Sequence, residues 1–146
     1  MRVGSGKFTY ELAKGWGGFP EGWQRREVPG GAVDSHDRVF LFVRGPNPVN
    51  IFDRDGKFIK TWGKGVFGRP HGICIGPDDS VYCVDDGDHT VRKFTPDGEL
   101  LLTLGTKGQP SDTGGYDGRD YRKITRGGPP FNRPTNLALS PSGEMY

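Results

Sequence analysis

The stretch from Ala32 to Gly63 returns, strand for strand, as the stretch from Cys74 to Gly105. Val39-Phe40-Leu41-Phe42-Val43 falls over Val81-Tyr82-Cys83-Val84-Asp85, and Asp55-Gly56 over Asp97-Gly98, each at an offset of 42 residues (81 minus 39, 98 minus 56). A period of about 40–45 residues with short β-type runs is the signature of a propeller, in which each repeat forms one four-stranded blade. A third unit opens at Phe131-Asn132-Arg133-Pro134, over Phe67-Gly68-Arg69-Pro70, and continues as Leu137-Ala138-Leu139 and Met145-Tyr146. The expected architecture is all-β, with about two and a half blades: 32–63, 74–105 and an incomplete 131–146. Residues 1–31 form an N-terminal strand and lead-in.

The turns agree with this division. Asp-Gly at 55–56 and 97–98 marks hairpins that need a glycine with positive φ, and Pro77-Asp78-Asp79 and Pro141-Ser142-Gly143 turn between first and second strands. The chain holds 25 Gly and 12 Pro, a share that would suggest low complexity if it were unpatterned. Here these residues cluster between apolar runs, and no 3.6-residue apolar stripe of useful length occurs, so essentially no helix is expected. The third unit comes late by 22 residues. The surplus falls in 106–130, polar and Gly-rich with Tyr116 and Tyr121 embedded, and reads as one long loop; such loops in compact domains are often binding loops or lids.

Composition narrows the partners. With 20 basic and 18 acidic residues the net charge is +2, and no Lys/Arg run offers a footprint for nucleic acid. No apolar stretch approaches the ~20 residues of a membrane span. The first residues lack the apolar core of a secretory signal, and two cysteines are too few for a disulfide framework, which favours a cytoplasmic chain. Blades stabilise one another by stacking, and lone repeats expose strand edges. Further blades are therefore expected, from a longer chain or from other copies.

Few residues stand out chemically. His71 lies where a blade's innermost strand meets the central channel, where an imidazole can take a metal or simply bond a loop. Arg44 ends a strand before Gly45-Pro46-Asn47-Pro48 and is replaced by Asp86 one period on. Its guanidinium suits a carboxylate, or is a solvated charge. Asp85 and His89 form a D-x-x-x-H element, read as a structural Asp–His hydrogen bond bracing one blade. His36 reads as solvated, and Trp16, Trp23 and Trp62 as inter-blade packing. Cys74 and Cys83, on neighbouring strands, read as free thiols close enough in register to approach each other. Gly4-Ser5-Gly6-Lys7 lacks phosphate-loop spacing.

The pattern P-x-G-I/L-x-I/V-x-P-D-x-x-V-Y-x-V-D-x-x-x-H-x-V-x-x-F-x-P-D-G resembles NHL repeats over 32–146. More narrowly, Phe42-Val43-Arg44-Gly45, Arg69-Pro70-His71-Gly72-Ile73, Val84-Asp85 to His89 and Phe131 to Asn136 resemble the peptidyl-α-hydroxyglycine α-amidating lyases, whose core is a six-bladed propeller. That resemblance implies a zinc ligand at His71, a substrate-binding catalytic arginine at Arg44, and calcium held by the backbone carbonyls of Gly31 and Ile73. The implied reaction splits a C-terminal α-hydroxyglycine into peptide amide and glyoxylate by Lewis-acid and electrostatic catalysis, on a peptide or small-molecule substrate. Two further zinc histidines, and the family's tyrosine and aspartate, have no counterpart in these residues, so the chain as given is expected to be inactive. Asn47 stands where many relatives carry histidine. The alternative is a non-catalytic propeller that binds protein, glycan or RNA.

Overall fold

A computed structural model describes residues 1–23, 26–115 and 120–146; Tyr116 lies outside them. Among the described residues, ten strands form three antiparallel sheets. Strands β1 (Arg2–Ser5) and β2 (Phe8–Glu11) make a separate hairpin. Blade one is the meander β3 (Gly30–Val33), β4 (Val39–Phe42), β5 (Val49–Phe52) and β6 (Phe58–Trp62). Blade two is β7 (Pro70–Ile75), β8 (Val81–Asp85), β9 (Thr90–Phe94) and β10 (Leu100–Leu104). Leu139 bridges Met145, and Ala138 and Tyr146 exchange both backbone bonds at 3.0 and 2.9 Å, which opens the third blade as expected. Among the described residues the one helical turn is the 3-10 turn Tyr121–Lys123. No helix is long and apolar enough to cross a membrane.

The strand period of two sorts each blade's side chains onto two faces. Phe40, Phe42, Val49 and Ile51 of blade one meet Ile73, Val81, Cys83 and Phe94 of blade two in the main core. The far face of blade two, with Tyr82, Val84 and Val91, receives Phe131, Leu137, Leu139 and Met145 of the third unit. Each interface is thus built between successive repeats, as stacked blades require. Their innermost strands β3 and β7 pack side by side and define the channel edge. The turn glycines behave as read: Gly56 and Gly98 have φ of +86° and +95°.

Two sequence expectations need correction here. Trp62 does pack between blades, on Phe94 with ring centroids 4.9 Å apart. Trp16 and Trp23 instead lie on the other face of blade one, against Phe52 at 5.7 Å and Phe58 at 5.5 Å. The lead-in folds back over that face. Cys74 and Cys83 are both free, and they cannot approach: Cys83 opposes Ile73 and Cys74 opposes Tyr82, so the thiols point to opposite faces. Burial raises the pKa of Cys74 and raises that of Cys83 well above the usual thiol range.

The 106–130 segment is pinned at its base rather than trailing. Ser111 N–H donates to Phe131 O at 2.9 Å, and Asn132 Nδ2 to Thr113 Oγ1 at 2.9 Å. Arg126 pairs with Asp112, and Thr113 is buried.

Candidate functional site at the channel edge

Pro70 pairs with Asp85 and Gly72 with Val84, so the register slips across His71. A bulge re-aims the side chain it carries, and His71 lies at the channel edge, half-buried. Pro29, Gly31, His71, Ile73, Thr135 and Asn136 line a cavity of about 460 Å³ there. All three residues named for metals by resemblance, His71, Gly31 and Ile73, thus share one concavity, joined by Thr135 and Asn136 of the third unit. Gly72 has to be glycine for this approach: a Cβ would sit 2.7 Å from Thr135 O.

Arg44 follows β4 and is held rather than solvated. Its Nε donates to Pro70 O at 3.1 Å, its backbone N–H donates to Glu27 O at 2.9 Å, and its guanidinium pairs with the exposed Glu27 carboxylate. The bond to Pro70 fixes the cation beside the residue preceding His71. A second cavity, of about 530 Å³, lies on the far side of the Arg44 loop against the lead-in, with Phe19, Trp23, Val43, Asn47 and Asn50 in its wall.

Asp85 and His89 are both structural, but they do not bond to each other. Asp85 is fully buried and accepts from the backbone N–H groups of Gly68, Arg69, Gly87 and Asp88 at 2.7–3.0 Å. Arg92, itself buried, lies 3.8 Å from the same carboxylate and pairs with Asp88 at 3.0 Å. His89 Nδ1 accepts from Arg133 N–H at 3.0 Å. Burial first, then the Arg133 charge, lowers its pKa. One residue therefore ties down the Phe67-Gly68-Arg69-Pro70 loop of its own blade, and the other ties down the equivalent loop of the next. Asp86, the counterpart of Arg44, bridges Arg69 and Arg133 from those two loops.

His36 is exposed, yet it is not merely solvated. Its Nδ1 lies 3.2 Å from Asp79 Oδ2, where Ser35 also donates. Asp34, His36 and Asp79 bring three potential ligand atoms together, but Asp34 is already occupied by the N–H groups of His36 and Arg38 and by the Arg38 guanidinium. This clasp joins the turns of two blades.

Zinc sites of the catalytic kind take three protein ligands and leave one position open; calcium takes six to eight oxygens. The channel-edge cavity offers one imidazole, His71, and the carbonyl-bearing Gly31 and Ile73. Among the described residues these donors fall short of either set.

The NHL repeat family profile matches residues 67–94, from the loop before β7 to the end of β9. With the four-stranded blades, this defines the class: the chain is a segment of an NHL-repeat β-propeller. It is 34% identical over 94 residues to peptidyl-alpha-hydroxyglycine alpha-amidating lyase 1 of Drosophila melanogaster, covering 62% of this chain and 15% of that protein. It is 30% identical over 150 residues to NHL repeat-containing protein 3 of Homo sapiens, covering 96% of this chain and 39% of that protein. A probable peptidyl-alpha-hydroxyglycine alpha-amidating lyase of Caenorhabditis elegans is 25% identical over 107 residues, covering 73% and 27%. The chain spans well under half the length of each of these relatives.

Proposed function

We propose that this segment contributes the arginine and the first histidine of an amidating-lyase-like site in a closed propeller. The observation that carries the reading is the bond of Arg44 to Pro70 O at 3.1 Å, one residue before the His71 that lines a cavity together with Gly31 and Ile73. A guanidinium so fixed can bind the carboxylate of a C-terminal α-hydroxyglycine and hold the negative charge that develops as glyoxylate leaves. His71 would supply one zinc ligand, and the carbonyls of Gly31 and Ile73 part of a calcium shell. If other blades supplied the remaining ligands, zinc would offer Lewis-acid activation of the substrate hydroxyl there. The similarity to named lyases of two organisms supports this reading.

A second reading is a propeller that binds a partner without chemistry. It is favoured by the similarity to NHL repeat-containing protein 3 across nearly the whole chain. Metal content separates the two. A protein carrying these residues within a complete propeller is expected to retain one zinc per ring through dialysis, and its His71→Ala variant to lose it. A complete propeller without zinc overturns the lyase reading.

A further inference from the structure

Arg44 holds a carboxylate of its own chain. Its Nη1 pairs with Glu27, and its backbone N–H donates to Glu27 O at 2.9 Å. One period on, Arg69 and Asp86 stand at these two positions (69 minus 27 and 86 minus 44 are both 42). There the pair recurs with its charges exchanged: Asp86 N–H donates to Arg69 O at 3.3 Å, and the Arg69 guanidinium pairs with the Asp86 carboxylate. The repeat therefore places an ion pair at this corner of both blades.

The two corners differ in how firmly they are closed. Asp86 is buried and takes a second cation, Arg133, at 3.2 Å, which locks two loops together. The Glu27 side chain is 71% exposed, so its carboxylate stays largely hydrated, and an ion pair of this kind is weak. Arg44 does not depend on that carboxylate for its position. Its backbone is held by Glu27 O and its Nε by Pro70 O at 3.1 Å, and neither bond uses the Glu27 side chain.

We infer that Glu27 is an internal competitor for the carboxylate of the substrate, an inference that rests on the proposed role of Arg44 as a carboxylate site. At rest the Arg44 cation is kept paired. A ligand that brings a carboxylate takes the place of the Glu27 carboxylate, which turns out to solvent. A ligand with a neutral end has nothing to exchange and leaves the ion pair intact. Discrimination of this kind comes from a built-in rival rather than from added contacts. In the lyase reaction the carboxylate leaves with glyoxylate, so the peptide amide has none with which to hold Glu27 away. Re-pairing of Glu27 with Arg44 then favours release of that product.

Calorimetry on a complete propeller carrying these residues tests this. The probes are a peptide that ends in glycine, unreactive but bearing a free carboxylate, and the same peptide as its C-terminal amide. Glu27→Gln and Glu27→Ala are each expected to bind the acid about 2–5-fold more tightly than the wild type, the share that an exposed ion pair holds back. Binding of the amide is expected to be unchanged, and the gain for the acid to vanish when Arg44→Ala is added. If Glu27 served instead to position Arg44, Glu27→Ala would bind the acid more weakly. That result overturns the inference, as do an unchanged affinity, an equal gain for the amide, or no binding of the acid to wild type and variants alike. Glyoxylate release is a separate readout: a wild type that binds the acid but releases no glyoxylate from the hydroxylated peptide removes the lyase reading, and the comparison of affinities still decides the part of Glu27.

Discussion

Arg44 donates through Nε to the carbonyl of Pro70 at 3.1 Å, so the guanidinium of one blade is held by the strand that presents His71 in the next. The bond crosses the blade interface at its channel end. Its geometry depends on the Phe40–Phe42 and Ile73–Val81 packing behind it, which couples the site to the fold.

The same coupling gives Asp85 a large role in stability. Its carboxylate satisfies four backbone N–H groups and faces the buried Arg92. Asp85→Ala would orphan those donors and leave a buried cation without this partner. It is expected to cost about 3–5 kcal/mol, measured by urea denaturation. Arg38→Ala, which removes a half-exposed partner from the Asp34 turn, is expected to cost less.

Gly98 is required twice over. Its φ is +95°, and a Cβ would lie 2.7 Å from Trp62 Cγ. Gly98→Ala is expected to cost about 1–3 kcal/mol through overpacking and backbone strain, read as a lowered denaturation midpoint. Gly65→Ala carries φ of +76° with open space around it, so it should cost less.

His89 ties stability to pH. Burial and Arg133 lower its pKa below the ordinary 6.5, against weaker opposing effects of Asp86, Asp88 and Asp85. The neutral ring is the form that accepts from Arg133 N–H. Its contribution is therefore present above about 6.5 and is lost as pH falls from there towards the lower folded value. His89→Asn keeps a side-chain acceptor, tolerates the φ of +59°, and matches Asn47 one period earlier. It should flatten this part of the pH–stability curve, measured by thermal unfolding between pH 5 and pH 7.5; an unchanged slope would contradict the assignment.

The blades were legible because their signals are local and periodic. The 42-residue offset, the Asp-Gly turns at 56 and 98, and the late start of the third unit at Phe131 all read directly from residue order. The partners of Asp85 were not legible in that way. Gly68 and Arg69 lie 16–17 residues upstream, and only the fold of the loop brings their N–H groups to the carboxylate, so the nearer His89 was the natural partner to expect. Aromatic type reveals burial but not which face is covered, so residue order alone does not show that Trp16 and Trp23 lie against Phe52 and Phe58. The convergence of His71, Gly31 and Ile73 was available only through resemblance. The structure adds the bulge at His71 and the bond that secures Arg44.

The most direct test of the central claim is glyoxylate release from a peptide ending in α-hydroxyglycine, measured in a closed propeller that carries these residues. Arg44→Ala is expected to lower kcat/KM by about 10²–10³, in line with the removal of one preorganised charge-stabilising group. Arg44→Lys should recover little, because a point charge replaces the fork that reaches both Pro70 and a carboxylate. An Arg44→Ala protein that releases glyoxylate at the wild-type rate, or a zinc-loaded wild type that releases none, would contradict the account.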